Sequence, residues 1–130
     1  MKNEEKLIIT ITNILASNQR RLGLEGVENK LYLEYFRNLI EGTYARYQQK
    51  VVILIDEYDK PILDNITNIE RAKEARETLK SLYSVIKDLD EYIRFVFLTG
   101  VSKFSKTGKN KKVWKNRGKK KNPSSFFLRI

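Results

Sequence analysis

Val51-Val52-Ile53-Leu54-Ile55-Asp56-Glu57-Tyr58-Asp59-Lys60-Pro61 is the stretch whose reading decides the fold class. Five consecutive apolar residues, four of them β-branched, run into two adjacent carboxylates and, after three more residues, a proline. A half-exposed strand would alternate apolar with polar residues, so this run predicts a short strand buried on both faces. Such strands belong to parallel sheets, and open α/β folds bind ligands at the carboxyl edge where Asp56 and Glu57 stand. Alternation along a strand would send these two acids to opposite sides.

Outward from this strand, hydrophobic spacing supplies the other elements. Leu7, Ile8, Ile11, Leu15 and Leu22 suit one face of a helix over 4–22. The β-branched cluster Ile8-Ile9-Thr10-Ile11-Thr12 also admits a strand there. Residues 30–48 predict a helix with Tyr32 or Leu33, Phe36, Leu39, Ile40, Tyr44 and Tyr47 on its apolar stripe. Pro61 suits the first turn of a short helix, because its missing N–H needs no partner at that position. A longer helix is expected over 69–90, burying Ala72, Ala75, Leu79, Leu82, Tyr83, Ile86 and Leu89. Ile93-Arg94-Phe95-Val96-Phe97-Leu98 then reads as a second buried strand, ending at Thr99-Gly100. The intervening helix is long enough for a right-handed crossover between parallel neighbours.

Composition narrows the chemistry. The 130 residues suffice for one domain with a sizeable core. They include neither cysteine nor histidine, which excludes disulfides, thiolate or imidazole zinc sites, and Ser-His or Cys-His dyads. No apolar run has the length of a membrane span, and the start lacks signal-peptide form, so a cytoplasmic protein with no membrane partner is expected. The formal charge of +10 is unevenly placed. Residues 1–105 hold all 16 acidic groups and 16 of the 26 Lys/Arg, whereas 106–130 hold 10 basic residues and no acid. A composition boundary therefore falls near Lys106.

An apolar strand followed by Asp-Glu has the form of a Walker B motif, in which the first acid holds Mg²⁺ and the second polarises an attacking water. By itself that pattern also occurs at ordinary strand ends. "VVILIDEYDKPIL" (51–63) followed by "YIRFVFLTGVSKFS" (92–105) is more specific. The pair resembles the AAA-ATPase-like domain of a large group of bacterial proteins, in which a P-loop ATPase module often precedes a predicted restriction-endonuclease-like nuclease domain. The resemblance implies ATP and Mg²⁺ as cofactors, Asp56 as the metal-associated acid and Glu57 as the catalytic water-activating residue. It places Thr99 as a polar sensor near the γ-phosphate and Lys103 as a basic sensor beside it. Asp59 and Lys60 match the signature without an assigned role, and a structural turn into the Pro61 helix accounts for them equally well. For Lys103 a solvated surface lysine is the ordinary alternative.

Two departures accompany the match. No G-x-x-x-x-G-K-[ST] phosphate loop occurs in the 130 residues, and that loop supplies the N–H cradle and lysine for the triphosphate. After "SKFS" the chain turns into Lys106-Thr107-Gly108-Lys109-Asn110-Lys111-Lys112. The expected fold is thus α/β: a partial P-loop NTPase-type parallel sheet flanked by helices over 1–105, then a disordered basic tail over 106–130. The first functional reading is a fragment of an ATPase domain, inactive alone, with a full-length relative as a candidate partner. The alternative is a small nucleic-acid-binding protein acting through its Lys-rich tail, with Trp114 available to stack a base. The tail also admits a solvated disordered terminus or a frame-shifted reading. The last is favoured by the abrupt end of the resemblance and by a composition rich in Lys, Asn and Phe. A sheet lacking its phosphate-loop strand is expected to leave strand edges unpaired.

Overall fold

In the computed structural model the described residues are 3–100, 111–115 and 125–129. The chain forms α1 (Asn3–Leu22), α2 (Tyr32–Tyr47), β1 (Val51–Asp56), α3 (Lys60–Leu63), α4 (Ile69–Asp88), a 3₁₀ turn (Asp90–Tyr92), β2 (Ile93–Thr99), β3 (Lys111–Lys115) and β4 (Ser125–Arg129). The fold is α/β, as the sequence predicts. α1 is helical through its β-branched cluster, because Ile11, Leu15 and Leu22 at helical spacing all enter the core. Burial of that stripe outweighs the small propensity penalty of β-branched residues.

β1 and β2 pair in parallel, joined through α4. Val51, Val52, Ile53 and Ile55 are all buried, so β1 is covered on both faces. The register slips by one residue at its start: Val51 lies opposite Ile93, whereas Val52 lies opposite Phe95. From there it runs evenly to Ile55 opposite Leu98. The slip explains why Ile93 and Val96, three apart, are both buried on a strand whose side chains alternate.

One cluster unites Ile11 and Leu15 of α1, Phe36, Leu39 and Ile40 of α2, and Leu79, Leu82 and Ile86 of α4. Val51, Ile53 and Ile55 of β1 join it from the sheet. The three long helices therefore share a single core with one face of the sheet. Tyr35, Thr43, Thr78 and Val85 are buried too, beyond the expected stripes. Both threonines satisfy their hydroxyls within their helices, on the carbonyls of Leu39 and Glu74. That back-bonding lets a polar side chain enter an apolar seam. An ion pair of 3.6 Å between Arg37 and Asp88 ties α2 to α4 at the surface.

α4 starts at Asn68, whose side chain accepts the Arg71 N–H at 3.1 Å. α2 ends on Gln48 at φ 55°, with its N–H returned to the Tyr44 carbonyl. Both ends follow ordinary capping chemistry.

The strand order is β3-β2-β1-β4, with β4 parallel to β1 and β3 antiparallel to β2. β1 and β2 thus each have a neighbour on the outer side, where unpaired edges were expected. Two five-residue segments of the stretch expected to be a disordered tail, Lys111–Lys115 and Ser125–Arg129, are strands. Val113-Trp114 and Phe126-Phe127-Leu128 are residue types that favour extended backbone, so pairing with the bare edges of β1 and β2 outweighs the basic composition there. The rest of the 106–130 expectation lies outside the described residues. No helix among the described residues is long and apolar enough to cross a membrane.

Candidate functional site

β1 ends on Asp56 and β2 ends on Thr99, so the parallel pairing brings both to the same carboxyl edge. The even register that seats Ile55 opposite Leu98 carries one residue further to set Asp56 beside Thr99. The Thr99 hydroxyl donates to Asp56 Oδ1 at 2.6 Å. A short O–H···O contact to a carboxylate is a charge-assisted bond.

Glu57 does not continue the strand. Its φ of 54° puts it in the left-handed region, which disfavours any residue with a Cβ by roughly 1–2 kcal/mol. Its direction is therefore set by this bend and not by strand alternation. The bend is held from β2: the Glu57 N–H donates to Thr99 Oγ1 at 2.9 Å, and the Tyr58 N–H donates to the Thr99 carbonyl at 2.9 Å. Gly100 permits this close approach. A Cβ there would lie 3.2 Å from Tyr58 Cε1 and 3.4 Å from both Asp59 carboxylate oxygens.

Such strain persists only where surrounding contacts over-determine the conformation. It also yields an expected outcome. Glu57→Gly should stabilise the folded chain by about 0.5 kcal/mol, the released strain exceeding glycine's greater freedom in the unfolded chain. Urea midpoints of the two proteins measure this. A loss above about 1 kcal/mol would show instead that the Glu57 side chain itself holds the bend.

Asp59 and Lys60 build the entry to α3. The Asp59 carbonyl accepts the Ile62 and Leu63 N–H groups at 3.1 and 3.0 Å. Lys60 Nζ pairs with Asp64 at 3.2 Å on the exposed side of that turn. Lys60 also borders a cleft of 330 Å³ lined by Lys6, Leu7, Thr10, Pro61, Asp64 and Asn65, whose lining includes none of Asp56, Glu57 and Thr99. Behind the acidic loop, Tyr58 meets Tyr83 of α4 with ring centroids 6.5 Å apart. Burial, followed by the nearby Tyr58 and Asp59, pushes the Tyr83 phenol above its ordinary range. Its hydroxyl is buried and has no hydrogen-bond partner among the described residues. Lys103 lies outside the described residues.

The structure thus brings Asp56, Glu57 and Thr99 together and sets Lys60 on the helix surface. Sequence reading did not mark the Glu57 bend or the Gly100 approach. The Thr-Gly pair after a buried strand was the available signal for the latter.

Among the described residues, no group of three or more acidic, His or Cys side chains is gathered for a metal. Mg²⁺ needs none: one or two carboxylates commonly hold it, with substrate phosphates and water completing its shell. Asp56, flanked by a threonine hydroxyl, fits that hard-oxygen chemistry.

The chain is 48% identical over 96 residues to "Uncharacterized protein in vnfD 5'region" of Azotobacter chroococcum mcd 1. That match takes in 74% of the chain but only 18% of the relative's length. No solved structure matches. The profile of a family described as "Predicted AAA-ATPase" matches residues 1–109, which include both strands, both acids and Thr99. The chain belongs to this predicted AAA-ATPase family.

Proposed function

We propose that this chain carries the acidic half of an ATP-hydrolysing site. The observation that supports this most directly is the joining of Asp56, Glu57 and Thr99 at the carboxyl ends of two adjacent parallel strands. Open α/β sheets use that edge for ligands. In this reading Asp56 holds Mg²⁺, which when bound would neutralise charge developing on the phosphates. Glu57 orients the attacking water and accepts its proton. Thr99, at the neighbouring strand end, holds both acids in place.

Phosphoryl transfer depends on positioning and electrostatic stabilisation, with little covalent chemistry for the protein to perform. The phosphate-loop motif, the main positioning element, does not occur in the 130 residues. The cradle is therefore supplied by another polypeptide segment, for which a longer relative is the natural source. The chain alone should show no Mg²⁺-dependent ATP hydrolysis above a Glu57→Gln control. Adding a segment that bears the phosphate loop should give turnover that Glu57→Gln abolishes. Turnover unaffected by Glu57→Gln would overturn the assignment. So would turnover by the isolated chain that survives Asp56→Asn.

A further inference from the structure

We infer that Thr99 acts as the latch that positions both acids, and that it reaches the nucleotide only through them. The inference rests on the reading of Asp56 and Glu57 given above and adds a role for their shared neighbour. A threonine hydroxyl has one proton to donate and two lone pairs to accept with. The proton goes to Asp56 Oδ1 at 2.6 Å, and one lone pair takes the Glu57 N–H at 2.9 Å. The Thr99 carbonyl takes the next N–H, that of Tyr58, at 2.9 Å. One residue of β2 therefore fixes three consecutive residues of the acidic loop, across 41 to 43 positions of sequence.

A hydroxyl engaged in this way has no proton left for a phosphate oxygen. To donate to phosphate it would have to release Asp56. The strained Glu57 explains why a latch is needed. At φ 54° the residue is held away from its intrinsic preference, and such conformations persist only where surrounding contacts over-determine them. The β-branch at Thr99 restricts χ1, which keeps the hydroxyl aimed at both partners. Gly100 then lets the Tyr58 and Asp59 side chains close over the strand end. Asp56 carboxylate, Glu57 bend and Thr99 hydroxyl thus move as one unit.

The experiment is amide hydrogen exchange followed by ¹H–¹⁵N NMR on the whole chain, without nucleotide or metal. Thr99→Val keeps the shape and removes the hydroxyl. It should raise Glu57 amide exchange about tenfold, the size of one lost hydrogen bond to a held backbone, and shift the Glu57 amide resonance. The Ile53 and Val96 amides should change by less than about twofold, because their ladder bonds are untouched. Thr99→Ser should restore the Glu57 amide to within about twofold of wild type. Asp56→Asn should leave Glu57 protection largely intact, since the hydroxyl still accepts that N–H.

Unchanged Glu57 exchange in a folded Thr99→Val chain would overturn the latch. A uniform rise throughout β1 and β2, with no rescue by serine, would also overturn it by showing a merely structural threonine. Because no nucleotide is present, this result is independent of the hydrolysis test. A confirmed latch with no turnover in the reconstituted site would place the failure in the nucleotide reading.

Discussion

Phe36→Ala is expected to destabilise the chain by about 3–5 kcal/mol, the usual loss for a fully buried aromatic ring. Phe36 is 0% exposed and is the largest fully buried side chain among the described residues. It sits in the cluster that joins α1, α2, α4 and β1. The space it leaves is bounded by several rigid elements at once, so collapse around the smaller residue is hindered and the cavity persists. Typical domain stability is only about 5–15 kcal/mol, so the variant should approach or cross the unfolding threshold at room temperature. Urea denaturation followed by far-ultraviolet circular dichroism gives the value. Phe36→Leu is the companion measurement, expected to lose less because it retains most of the volume. A loss below about 1 kcal/mol for the alanine variant would mean that α2 does not pack into a common core with α1 and α4.

The second large effect concerns charge. Residues 106–121 contain nine Lys/Arg and no acid. Any polyanion neutralised by such a stretch releases condensed counterions, so binding depends steeply on salt. Double-stranded DNA should bind the whole chain weakly and without sequence preference near ~50 mM salt. Affinity should fall by a factor on the order of 10³ by ~200 mM. Fluorescence anisotropy with two unrelated duplexes measures both properties. Asp56→Asn should leave the binding nearly unchanged, since Asp56 lies on β1 and not in the basic stretch. Retention of affinity at physiological salt, together with discrimination between the duplexes, would point to a folded base-reading surface and so to a dedicated nucleic-acid function. Electrostatic attraction alone can supply the first kind of binding and not the second.

Much of the architecture was legible because it is written locally. The β-branched run 51–55 could be buried only as a strand covered on both faces, and the structure has Val51, Val52, Ile53 and Ile55 buried. Leu79, Leu82, Ile86 and Leu89 recur at helical spacing and are buried in or just after α4. The cluster Ile8–Thr12 was undecided between helix and strand, because its propensity and its periodicity disagreed. Packing of Ile11 and Leu15 against α2 and α4 resolved it as helix. The strands at Lys111–Lys115 and Ser125–Arg129 were hidden behind their basic setting, since composition reports average character and not which sheet edge needs a neighbour.

By itself, then, the sequence determined the α/β class, the run of helices and strands from α2 to β2, and the placing of Asp56 and Thr99 at strand ends. These follow from periods of two and 3.6 residues and from where the apolar runs stop. Only the tertiary structure decided that the two strand ends meet as they do. The one-residue slip between Val51 and Val52 sets the register. Without it Asp56 would face Leu98, and the Thr99 hydroxyl would miss both the carboxylate and the Glu57 N–H. The left-handed Glu57 is equally invisible from residue type, because glutamate has no preference for that conformation. Hydrogen bonds from the Glu57 and Tyr58 N–H groups to Thr99, 42 and 41 positions away, hold it there. Such bonds depend on how two strands align through space, and local spacing carries no record of that alignment.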